Sequence, residues 1–265
     1  MSIPFIRELD FAYGRVDRLS PLVRRVIAPN PGPFTFHGTG TYIVGQGEVA
    51  VIDPGPDLSV HVEALAAALR GERVSHILIT HTHRDHSPAA RALKSLTGAP
   101  TLGFGPHPVT GNGPQVEEGG DLDFRPDIVL ADGDVIKGAG FTLEALHTPG
   151  HISNHLCFAL REEAALFSGD HVMGWSTSVI SPPDGNMRDY FASLARLLER
   201  EDRLYYPTHG APIPEPQAFV RAYIAHRRDR EGQIERCLRE GPRTIPAMVE
   251  VMYRDVPRNL HGAAG

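Results

Sequence analysis

The run Ile77-Leu78-Ile79-Thr80-His81-Thr82-His83-Arg84-Asp85-His86 limits the possible folds more than any other stretch of the chain. Its first four residues are apolar or β-branched and read as a short buried strand. Four groups able to bind a metal, His81, His83, Asp85 and His86, then follow within six positions. Ser87-Pro88 reads as an N-cap with proline in the first helical turn, opening a helix through Lys94 and Leu96. A strand, a polar turn and a helix start in that order can point several imidazoles at one spot. A metal ion needs that arrangement; solvated loop histidines do not.

The flanking sequence repeats the theme. Residues 20–40 are rich in Pro, Gly and Thr and read as an irregular lead-in. Residues 41–44 and 49–52 are β-rich runs joined by a Gly-Gln-Gly-Glu turn, a hairpin that ends in Asp53-Pro54-Gly55. Val62, Leu65, Ala66 and Leu69 recur at helical spacing up to Gly71. Further strands are expected at 100–104, 128–130, 141–146, 155–160, 164–167 and 204–206. A Gly/Pro-rich loop is expected at 105–120, and Tyr190, Phe191, Leu194, Leu197 and Leu198 mark a core-facing helix. The mixture of strands and helices favours an α/β architecture. Four times a short strand runs out into residues that can bind metal: at 81–86, His151, Asp170 and His209. From Glu215 the strands stop, and helices are expected over 216–230, 231–239 and 244–253.

Fourteen histidines among 265 residues make metal chemistry the first thing to test. Imidazole nitrogen and carboxylate oxygen without thiolate suit Zn²⁺ first, then Mn or Fe. Seven donors exceed one tetrahedral site, and the remainder fits a second ion. The economical partition puts His81, His83 and His151 on one ion and Asp85, His86 and His209 on the other, with Asp170 bridging. That is two Zn²⁺ per chain, an arrangement able to activate water and stabilise a developing oxyanion. The two cysteines, Cys157 and Cys237, have no CxxC spacing, so neither a disulfide framework nor a zinc ribbon is expected. No secretory signal opens the sequence, and no run approaches the ~18 apolar residues of a membrane helix. A cytoplasmic protein with no membrane partner is expected. Net charge is −6, divided as −8 over residues 1–214 and +2 over 215–265. The body is a poor trap for polyanions and the tail is mildly basic.

The motifs His81-Thr-His83-Arg-Asp85-His86, Thr148-Pro-Gly-His151, Ser168-Gly-Asp170 and Pro207-Thr-His209-Gly together resemble the metallo-β-lactamase superfamily, over about residues 35–212. The resemblance implies a four-layer αββα sandwich with two metals at one sheet edge and the same ligand partition. The lead-in from Pro31 to Tyr42, Arg84, His155 and the tail through Asn259-Leu260-His261 look like the β-lactamase-like endoribonucleases within that superfamily. That likeness implies a metal-hydrolase domain over 1–213 and a helical, winged-helix-like segment over 214–265, one that stops short of the expected wing. It also implies cleavage of single-stranded RNA by a metal-activated hydroxide. The Ser-Pro-Pro-Asp run within 175–186 departs from that branch.

Asp85 is expected to orient the attacking hydroxide as well as bind metal. His155 is the second catalytic candidate, as a leaving-group proton donor, beside an alternative structural role. Asp53 is read either as orienting a ligand imidazole or as shaping a turn. His171 is read as structural, and Trp175 as a loop anchor or, alternatively, a base-stacking ring. The alternative function is a glyoxalase II-like thiolester or small-ester hydrolase, because Thr80-His-Thr-His83 also fits that branch. A redox di-iron protein is disfavoured, since that branch carries Glu at the position of His83. A non-catalytic nucleic-acid-binding module ranks lower still, because all seven ligands are present.

Overall fold

Val44 and Ala50 pair across a tight hairpin whose turn residues Gly45 and Gly47 take left-handed φ values of 106° and 71°. A Cβ at Gly45 would lie 2.8 Å from the Phe141 ring, so this turn requires glycine there. The structure, a computed structural model, describes residues 3–108, 119–241 and 243–254. In it the hairpin belongs to a seven-stranded sheet. The strands are β1 (Val16–Arg18), β2 (Val23–Ile27), β3 (Gly40–Gln46), β4 (Glu48–Ile52), β5 (Arg73–Leu78), β6 (Thr101–Gly103) and β7 (Ile128–Val129), paired in that order. The pairing is antiparallel up to β4 and parallel from β4 to β7. Helices α1 (Ser59–Ala68) and α2 (Ala89–Thr97) make the crossovers that parallel neighbours need.

The second sheet has six strands: β8 (Val135–Gly138), β9 (Phe141–His147), β10 (Leu156–Leu160), β11 (Ala165–Gly169), β12 (Leu204–Pro207) and β13 (Ile213–Pro214). Only β11 and β12 run parallel, and α3 (Met187–Leu198) connects them. Tyr42, Ile52 and Leu78 from the first sheet meet Phe141, Leu143, Phe158, Phe167 and Tyr206 from the second in one buried cluster. The alternate residues Ile43, Val51 and Ile77 face the other way, onto Leu65 of α1, Leu69 just past its end and Leu93 of α2. At about 1.5–3 kcal/mol for each fully buried large side chain, these two clusters dominate the stability of the sandwich. Helix α3 buries Tyr190, Leu194 and Leu197, and its Arg196 donates to the His147 carbonyl at 2.8 Å. The result is the four-layer αββα sandwich.

Several local expectations are corrected. The lead-in over 20–40 is not irregular throughout, because β2 lies in its first half. Arg24 and Arg25 disguised β2; Arg24 pairs with Glu72 at 2.7 Å, and buried Arg25 donates to the Gly210 carbonyl at 3.0 Å. Ser87 does not cap α2. Its hydroxyl donates to Asp121 at 2.7 Å, and the helix opens on backbone turns instead. The two helices expected over 216–239 form one, α4 (Pro216–Arg239), since the cost of Gly232, about 1 kcal/mol against Ala, does not break it.

Contacts divide the chain into two units, Phe5–Pro216 and a second made of Gln217–Gly265 with Met1–Pro4. In the second, α5 (Ile245–Met252) follows α4, capped by Thr244, whose hydroxyl accepts from the Ala247 amide. Arg230 lies over the Tyr253 ring at 4.5 Å and donates to the Met252 carbonyl at 3.3 Å. Asn259-Leu260-His261 and most of the 105–120 loop lie outside the described residues. No helix among the described residues is long and apolar enough to cross a membrane.

Candidate metal centre

Five strand ends converge at one edge of the sandwich. β5 runs out into His81–His86, β9 leads to His151, β11 to Asp170 and β12 to His209, while β4 delivers Asp53 behind them. Four hydrogen bonds stitch the strand ends together across the sheets. Leu156 donates its amide to Thr80 O at 2.7 Å, and Gly40 to Thr208 O at 2.8 Å. The Tyr42 hydroxyl donates to Pro207 O at 2.6 Å, and the Thr208 hydroxyl to Asp53 Oδ2 at 3.0 Å.

All seven expected ligands come together. The ligand atoms of His81, His83 and His151 lie within 4.8 Å of one another, as do those of Asp85, His86 and His209. A third trio, His81, His86 and Asp170, spans the two groups, which places Asp170 between them. His83 Nδ1 is 3.1 Å from His81 Nε2 and 3.2 Å from His151 Nε2. His209 Nε2 lies 3.1 Å from Asp85 Oδ2 and 3.5 Å from Asp170 Oδ1. His86 Nε2 lies 3.3 Å from Asp85 Oδ2 and 3.5 Å from Asp170 Oδ2.

The imidazoles are held from behind. Asp53 Oδ2 takes His86 Nδ1 at 2.9 Å, the Gly38 carbonyl takes His209 Nδ1 at 3.2 Å, and the Val179 carbonyl takes His151 Nδ1 at 2.6 Å. Each contact fixes a ring and turns its Nε2 toward the other donors. Asp53 itself is buried in a left-handed turn, φ 49°, and accepts from the Thr80 amide and hydroxyl at 2.8 and 2.7 Å. Both of its expected roles, turn and orienting carboxylate, are realised by one residue.

Charge divides the cluster. Burial, reinforced by neighbouring imidazoles, holds His81 well below its usual range and His83 at about 3. Burial also opposes charge on His86 and His209. There the surrounding carboxylates outweigh it, raising His209 to about 10 and His86 well above its ordinary value. Asp85 and Asp170 are depressed in turn, because those histidines outweigh the burial that opposes their ionisation. The second trio is therefore a buried place where positive charge is stabilised. His86 Nε2, His209 Nε2 and Asp170 Oδ1 are shut off from solvent without a well-formed hydrogen bond. Buried polar atoms in that state carry a desolvation cost that a cation among them would relieve. The donor set fits a divalent ion.

His155 lies behind this set. It is fully buried, with Nε2 accepting from the Asp170 amide at 3.2 Å and Nδ1 against the Thr148 hydroxyl at 2.9 Å. Both ring nitrogens are engaged, which favours the structural alternative over a proton donor. His171 is also buried, its ring 4.7 Å from that of Tyr190, and burial lowers it to about 3. Sequence reasoning gave no role to His61 or Gly38. His61 lies against the Thr41 hydroxyl at 2.9 Å, and the Gly38 carbonyl fixes a donor imidazole; a backbone carbonyl leaves no mark in the residue pattern.

Two facing sheets with a buried His/Asp cluster at their converging strand ends define a hydrolase of the αββα sandwich class. The family model of the metallo-beta-lactamase superfamily matches residues 35–209, and the chain belongs to that superfamily. Over 222 residues it is 35% identical to an atrochrysone carboxyl ACP thioesterase of Claviceps purpurea (strain 20.1), covering 83% of this chain and 66% of that protein. Over 268 residues it is 32% identical to the lactamase-like protein adaB of Aspergillus niger, covering 94% of this chain and 78% of that one. In structure it resembles a metallo-beta-lactamase family protein from Thermus thermophilus, with TM-score 0.73, 24% identity and coverage of 93% of this chain and 91% of that one. Curated relatives of this chain include proteins named as atrochrysone carboxyl ACP thioesterases and a lactamase-like protein, so the endoribonuclease expectation gains no support and the thiolester alternative moves ahead.

Proposed function

We propose that this protein is a divalent-metal-dependent thioester hydrolase that releases an acyl group from a thiol carrier. The observation that carries the reading is the pair of donor trios joined by Asp170, with three buried polar atoms among them that lack a well-formed hydrogen bond. The thioester is favoured by the relatives named as acyl-carrier-protein thioesterases. His81, His83 and His151 would hold one ion and Asp85, His86 and His209 a second, with Asp170 shared and zinc the first choice for nitrogen and oxygen donors. Bound there, the ions would lower the pKa of water towards ~7 and neutralise charge on the carbonyl oxygen.

The chain's own residues supply the rest. Asp85, held ionised beside His86 and His209, takes the proton of the attacking water and keeps its oxygen aimed at the thioester carbon. The C–O bond forms, the C–S bond breaks, and the electron pair leaves with sulfur to give a carboxylic acid and a thiol. A thiol with pKa near ~8.5 can depart as thiolate, so this reaction does not require a proton from His155. His155 instead positions Asp170 through its backbone amide. Three of the tail arginines are already engaged within the tail: Arg230 with Tyr253, Arg239 with Glu235 and Arg243 with Glu240.

The test is a side-by-side assay of zinc-reconstituted protein on acyl-N-acetylcysteamine thioesters, by thiol release, and on single-stranded RNA. Thiol release that disappears with chelator and returns with zinc is expected. Cleavage of RNA with no thiol release would reverse the order of the two readings.

A further inference from the structure

A wall of rings stands on the His209 side of the donors. The turn before β3 closes on itself: Gly32 and Phe36 form an isolated antiparallel bridge, and the Thr35 hydroxyl donates to the Asn30 carbonyl at 2.6 Å. These bonds hold Phe36 at a φ of 57°, a left-handed conformation that a bulky residue adopts only when its surroundings enforce it. Its ring lies flat against the Trp175 indole, with centroids 4.8 Å apart and planes 9° apart. His37 continues the wall 3.8 Å from Phe36, and Phe11 lies 4.6 Å beyond His37.

The wall is fastened to the donor set at several points. The Gly38 carbonyl, two residues after Phe36, fixes His209. A Cβ on Gly210 would come within 3.1 Å of Trp175 Cδ1, so glycine is what lets the indole sit there. Four residues after Trp175, the Val179 carbonyl holds His151. The segment carrying Trp175 thus runs from one donor trio to the other. Phe36, His37 and Trp175 are only half-buried. The indole Nε1 has no hydrogen-bond partner among the described residues, whereas an indole that anchors a loop normally engages its N–H. The ring face, and not the polar edge, is what this position offers.

We propose that the Phe36–Trp175 pair is the acyl subsite, and that it selects thioesters of flat, aromatic or conjugated acids over those of short alkyl acids. The assignment rests on the thioesterase reading for its reaction. A flat acyl group gains an offset stacking contact on such a wall, which a methyl or propyl group does not.

Trp175 is the only tryptophan in the chain, so its emission reports on this wall alone. The probes are S-benzyl-N-acetylcysteamine, a thioether with no thioester bond to cleave, and its S-propyl counterpart, each titrated into zinc-loaded protein. The benzyl probe is expected to change the emission saturably and to bind about tenfold more tightly than the propyl one, the scale of one aromatic contact. In turnover, Trp175→Leu is expected to lower the ratio of benzoyl to acetyl kcat/KM by about tenfold, through KM, while Trp175→Phe keeps most of the preference. Emission that ignores both probes, or a benzoyl-to-acetyl ratio that Trp175→Leu and Phe36→Leu leave unchanged, overturns the subsite. If Trp175→Leu does not fold, the wild-type titration and Trp175→Phe still decide. Saturable benzyl binding without cleavage of any thioester supports the subsite and sinks the proposed reaction.

Discussion

Asp53 Oδ2 lies 2.9 Å from His86 Nδ1, and both side chains are completely buried. The contact engages His86 Nδ1, so that Nε2 is the atom presented to Asp85 and Asp170. Replacing such an outer carboxylate by its amide keeps shape and size but removes the charge. Asp53→Asn is expected to weaken metal binding by about 10–100-fold, read by competition with a chromogenic chelator. An unchanged affinity would reduce Asp53 to a turn residue.

The site was legible where its residues crowd together and obscure where they do not. His81, His83, Asp85 and His86 announce a cluster because four donors in six positions have little other use. His151, Asp170 and His209 were found because each sits at or just past the end of a short strand. Asp53 was ambiguous, since Asp-Pro-Gly after a strand is also ordinary turn chemistry. β2 was missed because its two arginines break the apolar alternation, and only their distant partners, Glu72 and Gly210, explain them. The substrate was not legible for a different reason. The same donors serve phosphorus and carbonyl centres alike, so choice between them lies in the walls around the donors. Those walls come from loops with no spacing rule.

Asp85→Ala removes one donor and, in the proposed reaction, the group that takes the water proton. Hydrolysis is expected to fall by at least ~100-fold while the circular dichroism spectrum stays native. Retention of most activity would leave Asp85 with a structural part only.

About two divalent ions per chain are expected in zinc-replete protein, because the seven donors form two trios with a shared carboxylate. Elemental analysis at one equivalent or fewer after reconstitution would rule out the two-ion site. Chelation should also lower the melting temperature, since a ligand that binds only the folded state stabilises it.

Stability of the metal-free protein should fall in acid. Burial lowers His61 to about 4, against 6.5 for the free side chain. Between those values the unfolded chain binds the extra proton, so stability rises with pH. The contribution is intact above about pH 6.5 and is lost progressively as pH drops towards 4. It amounts to at most about 1.4 kcal/mol per pH unit for one histidine. Denaturant midpoints between pH 7 and 4.5 should slope less steeply in His61→Gln. Equal slopes would show that other groups set the acid limit.

The hydrogen bond from Thr208 to Asp53 joins residues 155 apart in sequence, and the Gly40 amide reaches as far to Thr208 O. The order of synthesis therefore matters. A nascent chain exposes His81, His83, Asp85 and His86 long before His209 leaves the ribosome, and until then the four must share an unfinished cluster. Contacts this distant close late, because the intervening chain must first be ordered. The first trio can assemble once His151 has emerged, whereas the second waits for β12. Early synthesis thus offers a half-built set of donors, and only the completed sandwich brings both trios together.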